Sequence, residues 1–132
     1  MSYPNPTAYS EHFSRGELDC HCGCVTPPEV AINLQDLAVH LEELRVLVGG
    51  PVHVDDAYRC PSRNLLVGGV KDSQHLQGKA ADVAVPLGMT VASLAATAAR
   101  IPRFNLGGIG MYPSQAFVHM DYRGDGPARW EG

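Results

Sequence analysis

A long amphipathic helix is the strongest constraint that the sequence places on the fold. Apolar residues recur at spacings of three and four along residues 26–48, and they form one stripe: Val30, Leu34, Leu37, Leu41, Leu44 and Val48. Thr26 can cap the first turn, with Glu29 as the acid of a capping box, and Gly49 ends the pattern. We therefore predict one helix that packs this stripe against the core.

The length and composition fit one globular domain. The chain has 132 residues, of which 45% are hydrophobic and 18% charged, and its formal net charge is -4. The sequence contains no run of Lys or Arg, so it does not predict contact with nucleic acid or an anionic membrane. No apolar run approaches the roughly 20 residues that span a bilayer. We predict a monomer with a loosely ordered N-terminal segment, residues 1–12, and one domain, residues 13–132.

Short strands account for much of the remaining sequence. Four segments have the alternation and β-branching of strands: residues 51–55, 81–85, 107–112 and 117–121. Side chains two apart on a strand share a face, so Phe117, His119 and Asp121 would point the same way. We expect Trp130 to close the core, and the alternative is that it flanks a cleft. The predicted fold is α+β, with a small antiparallel sheet flanked by helices.

The segment from Ser73 to Asp82 has the composition of a metal-binding loop. It places the imidazole of His75 and the carboxylate of Asp82 on either side of Gly78, which permits a tight backbone reversal. His119 can supply a third ligand. Two imidazoles and one carboxylate suit zinc, and three protein ligands leave a fourth position open, as in catalytic sites. The alternative is an ordinary polar loop.

Four motifs around this loop form a recognisable set. In chain order they are Tyr58-Arg-Cys-Pro-Ser-Arg-Asn64, Ser73-x-His75-x-x-Gly78-x-Ala80-x-Asp82, Gly108-Ile-Gly-Met-Tyr112 and Phe117-Val-His119-Met-Asp121. Together they resemble the zinc D-Ala-D-Ala carboxypeptidase family, which also includes phage endolysins and the metal-bearing signalling domain of hedgehog. The resemblance covers nearly the whole chain and is strongest to short phage and prophage members.

The resemblance implies a zinc-dependent peptidase with a hedgehog-like or DD-peptidase-like fold. Its substrate would be a peptidoglycan stem peptide or crosslink, hydrolysed by a carboxypeptidase or an endolysin-type endopeptidase through a water that the zinc activates. The implied zinc ligands are His75, Asp82 and His119. Arg59 would anchor a substrate carboxylate or carbonyl, because a planar guanidinium binds such groups well, and Ser73 and Tyr58 would contact substrate beside it.

One position departs from the family pattern. Catalytic members place Glu or Asp three residues before the last His ligand as the general base, and this chain has Ala116 there. Asp121 could accept the proton instead, or it could fix the tautomer of His119 from behind. A second departure is Asp56-Ala57, where relatives commonly have Ser-Gly. The alternative to an enzyme is therefore a zinc-stabilised binding module or phage structural module without hydrolytic activity.

The cysteines leave two structural roles open. Cys20, Cys22 and Cys24 could bind a second zinc with His21, although side chains two residues apart converge only in a strongly bent loop. The other alternative is a cysteine-bearing loop with one disulfide to Cys60. A cysteine peptidase is not supported, because Cys60 has no visible histidine partner.

The start of the sequence carries neither the basic region nor the apolar region of an export signal. We therefore expect synthesis in the cytoplasm without a visible signal peptide. The resemblance to phage members leaves two routes by which such a chain reaches a cell wall, namely release by phage lysis and carriage in a virion.

Overall fold

Helices and a five-stranded mixed sheet enclose one hydrophobic core. A computed structural model describes residues 7–132 of the chain. The helices in this part of the chain are α1 Arg15–Leu18, α2 Pro28–Val48, α3 Pro61–Leu66, α4 Val91–Ala98 and α5 Pro102–Asn105. The strands are β1 Val54–Asp56, β2 Ala80–Ala84, β3 Gly108–Tyr112, β4 Phe117–Asp121 and β5 Ala128–Glu131. These elements confirm the predicted α+β class.

The sheet is mixed, whereas the sequence predicts an antiparallel one. Its strand order is β1-β2-β4-β3-β5, and all neighbours are antiparallel except β3 and β5. Both edges of β4 are already paired, with β2 and with β3. The chain reverses after β4 and adds β5 to the free edge of β3, so β5 runs parallel to β3. The other four strands lie close to their predicted positions.

Helix α2 buries the predicted stripe as far as Leu44, and Val48 is partly buried. Its buried residues are Val30, Leu34, Leu37, Ala38, Leu41 and Leu44, and Gly49 ends the helix in the left-handed conformation at φ 81°. The predicted cap at Thr26 is wrong, because Pro28 takes the first helical position and Pro27 becomes the N-cap without a side-chain hydrogen bond. None of the helices within residues 7–132 combines the length and the hydrophobicity of a membrane-spanning segment.

The predicted N-terminal segment, residues 1–12, lies partly outside the described residues. From residue 7 onward the chain packs on the domain, since Tyr9 is 4% exposed. Glu42 on α2 accepts hydrogen bonds from Ser10 Oγ at 2.6 Å and from the His12 backbone N–H at 2.8 Å. A hydrogen bond from a neutral donor to a carboxylate stabilises the fold more than a hydrogen bond between two neutral groups does. These contacts therefore tether residues 10–12 to α2.

Candidate metal centre

Two neighbouring strands bring Asp82 and His119 together. In the antiparallel pairing of β2 with β4, Asp82 lies directly opposite His119, and Asp82 Oδ1 is 3.1 Å from His119 Nδ1. Strand alternation turns the adjacent Val83 and Val118 to the other face, where both are fully buried. One face of the sheet therefore carries polar groups, and the opposite face packs into the core.

The third residue comes from a short 3-10 turn, Gln74–Gln77, immediately before β2. Ser73 caps this turn, because its Oγ accepts a hydrogen bond from the His75 backbone N–H at 3.2 Å. The turn directs the His75 ring at β2, and Nε2 lies 3.2 Å from Asp82 Oδ1. The structure thus joins all three predicted metal ligands at one carboxylate oxygen.

Gly78 ends this turn and fits it against α2. Its φ of +73° lies in the left-handed region that favours glycine. A Cβ there would lie 2.9 Å from Val30 Cγ1 and 3.1 Å from Leu34 Cγ. The predicted reversal is therefore present, and α2 also requires a residue without a side chain at this position.

The two imidazole nitrogens lie at a zinc-like separation from the carboxylate oxygen between them. Two imidazole nitrogens and one carboxylate oxygen, from His75, Asp82 and His119, lie within 4.8 Å of one another. Zinc bonds of roughly 2.0–2.1 Å in a tetrahedron place neighbouring ligand atoms about 3.3 Å apart. The observed contacts of 3.1 and 3.2 Å match that spacing, and all three residues are buried.

The outer nitrogen of each imidazole also faces an acceptor. His75 Nδ1 lies 2.5 Å from the Ala57 carbonyl oxygen, and His119 Nε2 lies 2.7 Å from Asp121 Oδ2. A neutral imidazole has one N–H, so donation outward leaves a lone pair on the nitrogen that faces Asp82. This arrangement is characteristic of metal-bound histidines, whose second nitrogen donates to a carbonyl or carboxylate. The residues present therefore fit zinc.

Asp121 is enclosed by donors behind His119. It is 0% exposed, and its Oδ1 accepts the Gly108 backbone N–H at 2.8 Å. Arg123 donates from Nη2 to Oδ2 at 2.8 Å and from Nε to Oδ1 at 3.0 Å. A Cβ at Gly108 would lie 2.5 Å from Asp121 Oδ2, so this glycine makes room for the carboxylate. Asp121 is thus held in one orientation.

The buried carboxylates are kept ionised by their partners. Burial alone would raise the pKa of Asp82, but the neighbouring imidazoles of His119 and His75 outweigh it and hold that pKa well below its ordinary value. Burial likewise opposes ionisation of Asp121, and hydrogen bonds from His119 and Arg123 lower its pKa. Burial lowers the pKa of His119, yet Asp121 and Asp82 raise it overall. Ionised Asp82 is therefore present between the two imidazoles, and that set of donors suits a cation.

Arg59 lies beside the candidate ligands in a fixed position. Its Nε donates to Asp56 Oδ2 at 2.6 Å, its Nη1 donates to Asn64 Oδ1 at 3.1 Å, and its Nη2 is 3.6 Å from Asp82 Oδ2. A Cβ at Gly69 would lie 2.8 Å from Arg59 Nη1, so that glycine admits the guanidinium. The carboxylate of Asp56 therefore orients Arg59.

Trp130 flanks the cleft; it does not close the core. Gly110 pairs with His119 on one side and with Trp130 on the other. The indole and the His119 imidazole have centroids 5.1 Å apart, and a Cβ at Gly110 would lie 2.3 Å from the indole ring. The candidate ligands line a cleft of about 690 Å³, a volume typical of ligand sites. Its wall includes Arg59, Ser73, Gln115, Phe117, Arg123 and Trp130.

A family model for Peptidase M15 matches residues 11–121, which is most of the chain. This chain belongs to the Peptidase M15 family. The match confirms the family that the motifs predict, whereas the particular likeness to phage members stays a prediction. Comparison with curated proteins gives no match. Membership supports a metallopeptidase that acts on a peptide, in a family that typically depends on zinc.

Two predicted positions of this M15 chain lie away from the cleft. Tyr58 is 3% exposed and packs in the hydrophobic core. It is not among the described residues that line the cleft. Ala116 is exposed, with φ 57°, and ends the short turn Pro113–Gln115 between β3 and β4. Its neighbours Gln115 and Phe117 line the cleft. Tyr58 is therefore placed to support the loop that carries Arg59.

Several residues of the M15 site were not predicted from the sequence. Arg123 holds Asp121, and Asn64, the last residue of the first motif, holds Arg59, but the sequence predicts neither contact. The sequence does contain a signal for the position of Trp130. Gly110 is an isolated glycine inside a strand, and such a glycine often marks the close approach of another group. Arg123 and Trp130 lie beyond the matched region, so the family model does not reach them.

Proposed function

We propose that this M15 chain is a zinc-dependent peptidase that hydrolyses peptidoglycan stem peptides or crosslinks. The reaction would be that of a D-Ala-D-Ala carboxypeptidase or of an endolysin-type endopeptidase. The observation that carries the proposal is the convergence of His75, Asp82 and His119 on one point of the cleft, with a guanidinium beside them. Those residues are the metal ligands in this proposal.

Arg59 would hold the substrate. A guanidinium has five N–H donors, and hydrogen bonds to Asp56 and Asn64 use one at Nε and one at Nη1. The remaining donors can bind a peptide carboxylate or carbonyl, and bidentate contacts would fix its direction. Ser73 lines the same cleft and keeps its hydroxyl proton available, since its oxygen accepts from His75. It would donate to a substrate carbonyl.

The chain's own residues would orient the reaction centre. A zinc ion held by the three ligands would polarise the substrate carbonyl and activate a water. Ala57 and Asp121 would keep the imidazoles of His75 and His119 in the tautomers that present a lone pair to the ion. Complete burial and the contacts with Arg123 favour this orienting role for Asp121 over proton transfer. Asp72 and Asp125 line the cleft and are the remaining candidate proton acceptors.

Peptide release from purified peptidoglycan tests the proposal. Zinc-loaded wild-type protein should release peptides, and His75→Ala should abolish release and remove the zinc bound in the cleft. His53→Ala is the matched control, because His53 is 71% exposed on the chain before β1 and should leave both properties unchanged. Stoichiometric zinc without hydrolysis of any cell-wall peptide would contradict the enzyme.

A second candidate function is a zinc-stabilised module without hydrolytic activity. Ala116 favours such a module, because the acid that catalytic relatives carry at this position is missing. Ala116 itself is exposed at the turn between β3 and β4. Such a module should bind peptidoglycan fragments and zinc without turnover. The same release assay, run beside a sedimentation assay for cell-wall binding, separates the two.

The route to the substrate is part of the proposal. The resemblance to phage members supports delivery after phage lysis or within a virion, and the chain would act as a monomer. Sedimentation velocity on zinc-loaded protein tests the second point, and a dimer at assay concentration would contradict it.

A further inference from the structure

Four thiols converge on one point outside the cleft. The Sγ atoms of Cys20, Cys22, Cys24 and Cys60 all lie within 4.8 Å of one another. Cys22 Sγ is 3.3 Å from Cys20 Sγ and 3.6 Å from Cys60 Sγ. Cys60 is 38 residues from Cys22 in sequence, so the cluster joins two distant segments. A chance approach of one pair would not gather all four.

A tight turn makes this convergence possible. The Gly23 backbone N–H donates to the Cys20 carbonyl at 3.1 Å, and Gly23 adopts φ +83° with open space around it. That left-handed residue reverses the chain between Cys22 and Cys24. Residues two apart, whose side chains would diverge on a regular strand, here direct their thiols to the same side.

The spacing fits one tetrahedral ion better than disulfides. Zinc–sulfur bonds of about 2.3 Å in a tetrahedron place neighbouring sulfurs about 3.8 Å apart. A disulfide selects one partner, whereas Cys22 Sγ has Cys20 and Cys60 at nearly equal distances. Backbone N–H groups also point at sulfur, from Cys60 to Cys20 Sγ and from Arg63 to Cys60 Sγ, both at 3.4 Å. Such bonds are typical around metal-bound thiolates.

We propose that Cys20, Cys22, Cys24 and Cys60 form a second, structural zinc site with four thiolate ligands. Four protein ligands close the tetrahedron, so this ion has no open position for water and takes no part in hydrolysis. His21 is not a ligand, and its Nε2 lies 3.3 Å from the Glu17 carbonyl oxygen. This inference does not rest on the proposed peptidase activity.

The ion would clamp the loop that supports the cleft. Cys60 directly follows Arg59, and the Tyr58 N–H donates to the Leu18 carbonyl at 3.0 Å. On its other side the same loop contacts the 3-10 turn, because the Arg59 N–H donates to the His75 carbonyl at 3.0 Å. The four-thiolate site would therefore fix, through residues 57–60, both Arg59 and the carbonyl that orients His75.

Metal stoichiometry in the full chain tests this site. Protein prepared with zinc under reducing conditions should contain two zinc ions per chain. His75→Ala should keep one, and the double variant Cys22→Ser, Cys24→Ser should keep the other. Both replaced cysteines are exposed, so the substitutions remove ligands without opening the core. A zinc content that is the same in the double cysteine variant and in the wild type would overturn the proposal.

Thiol reactivity of the wild type gives a test that needs no variant to fold. The four thiols should resist a thiol reagent until a chelator is added, and should then react without any reductant. Immediate reaction of all four in zinc-loaded protein would contradict the site. Thiols that appear only after reduction would also overturn it, because they would be disulfides.

Discussion

His119 Nε2 lies 2.7 Å from Oδ2 of Asp121, a carboxylate with no exposed surface. The two residues are neighbours on one face of β4, so strand geometry alone brings the carboxylate to the ring. The opposite nitrogen of the same ring faces Asp82 at 3.1 Å. Asp121 therefore determines which nitrogen of His119 is free to bind a metal.

Asp121→Asn should weaken zinc binding in the cleft by about 10- to 100-fold. The amide carries no charge to hold the His119 proton, and it leaves Arg123 without its ionic partner. Competition with a chelating dye measures the change. Asp125→Asn, an exposed carboxylate of the same cleft, is the control and should leave the affinity unchanged. Unaltered affinity with lost hydrolysis in Asp121→Asn would assign Asp121 to proton transfer.

Gly78→Ala should destabilise the fold more than Gly88→Ala. Both glycines have positive φ, +73° and +88°, so both variants incur the left-handed penalty of about 1–2 kcal/mol. At Gly88 nothing lies within 4 Å, whereas at Gly78 the new Cβ meets Val30 and Leu34. That crowding should cost about 1–3 kcal/mol more. Equilibrium urea unfolding in chelator measures the difference, and equal losses would show that α2 does not press on this turn.

Trp130 should report metal binding in the cleft. It is the single tryptophan of the chain, and its ring centroid lies 5.1 Å from that of His119. An open-shell ion bound to His119 would lie close enough to the indole to accept its excitation energy, so Co²⁺ should quench most of the Trp130 emission, while Zn²⁺ should not. His75→Ala should remove the quenching. Quenching that persists in His75→Ala would place the bound cobalt elsewhere.

The proximity of the three candidate metal ligands could be predicted because their signals are local. His75, Gly78 and Asp82 lie within one short segment, and alternation along β4 places His119 and Asp121 on one face. The long helix could be predicted from its periodicity for the same reason.

Features that depend on distant segments could not be predicted. The parallel strand β5, and with it the position of Trp130, depends on which edge of the sheet stays free. The convergence of the cysteines needs both the turn at Gly23 and the packing of Cys60 against it. The predicted start of α2 is wrong for a local reason. Pro28, the second of two consecutive prolines, takes the first helical position.

Arg59→Lys should lower kcat/KM for cell-wall peptides by about 10- to 100-fold, mostly through KM. A lysine loses the contacts with Asp56 and Asn64 that fix the guanidinium, and it cannot bind a carboxylate bidentately. Lost charge-assisted hydrogen bonds of about 1.5–3 kcal/mol correspond to that range. Arg100→Lys, on an exposed position at the end of α4, is the matched control and should leave both constants unchanged. Zinc content should stay the same in both variants, because Arg59 is not a ligand. A fall in kcat at constant KM would contradict substrate anchoring and would indicate that Arg59 stabilises charge in the reaction instead.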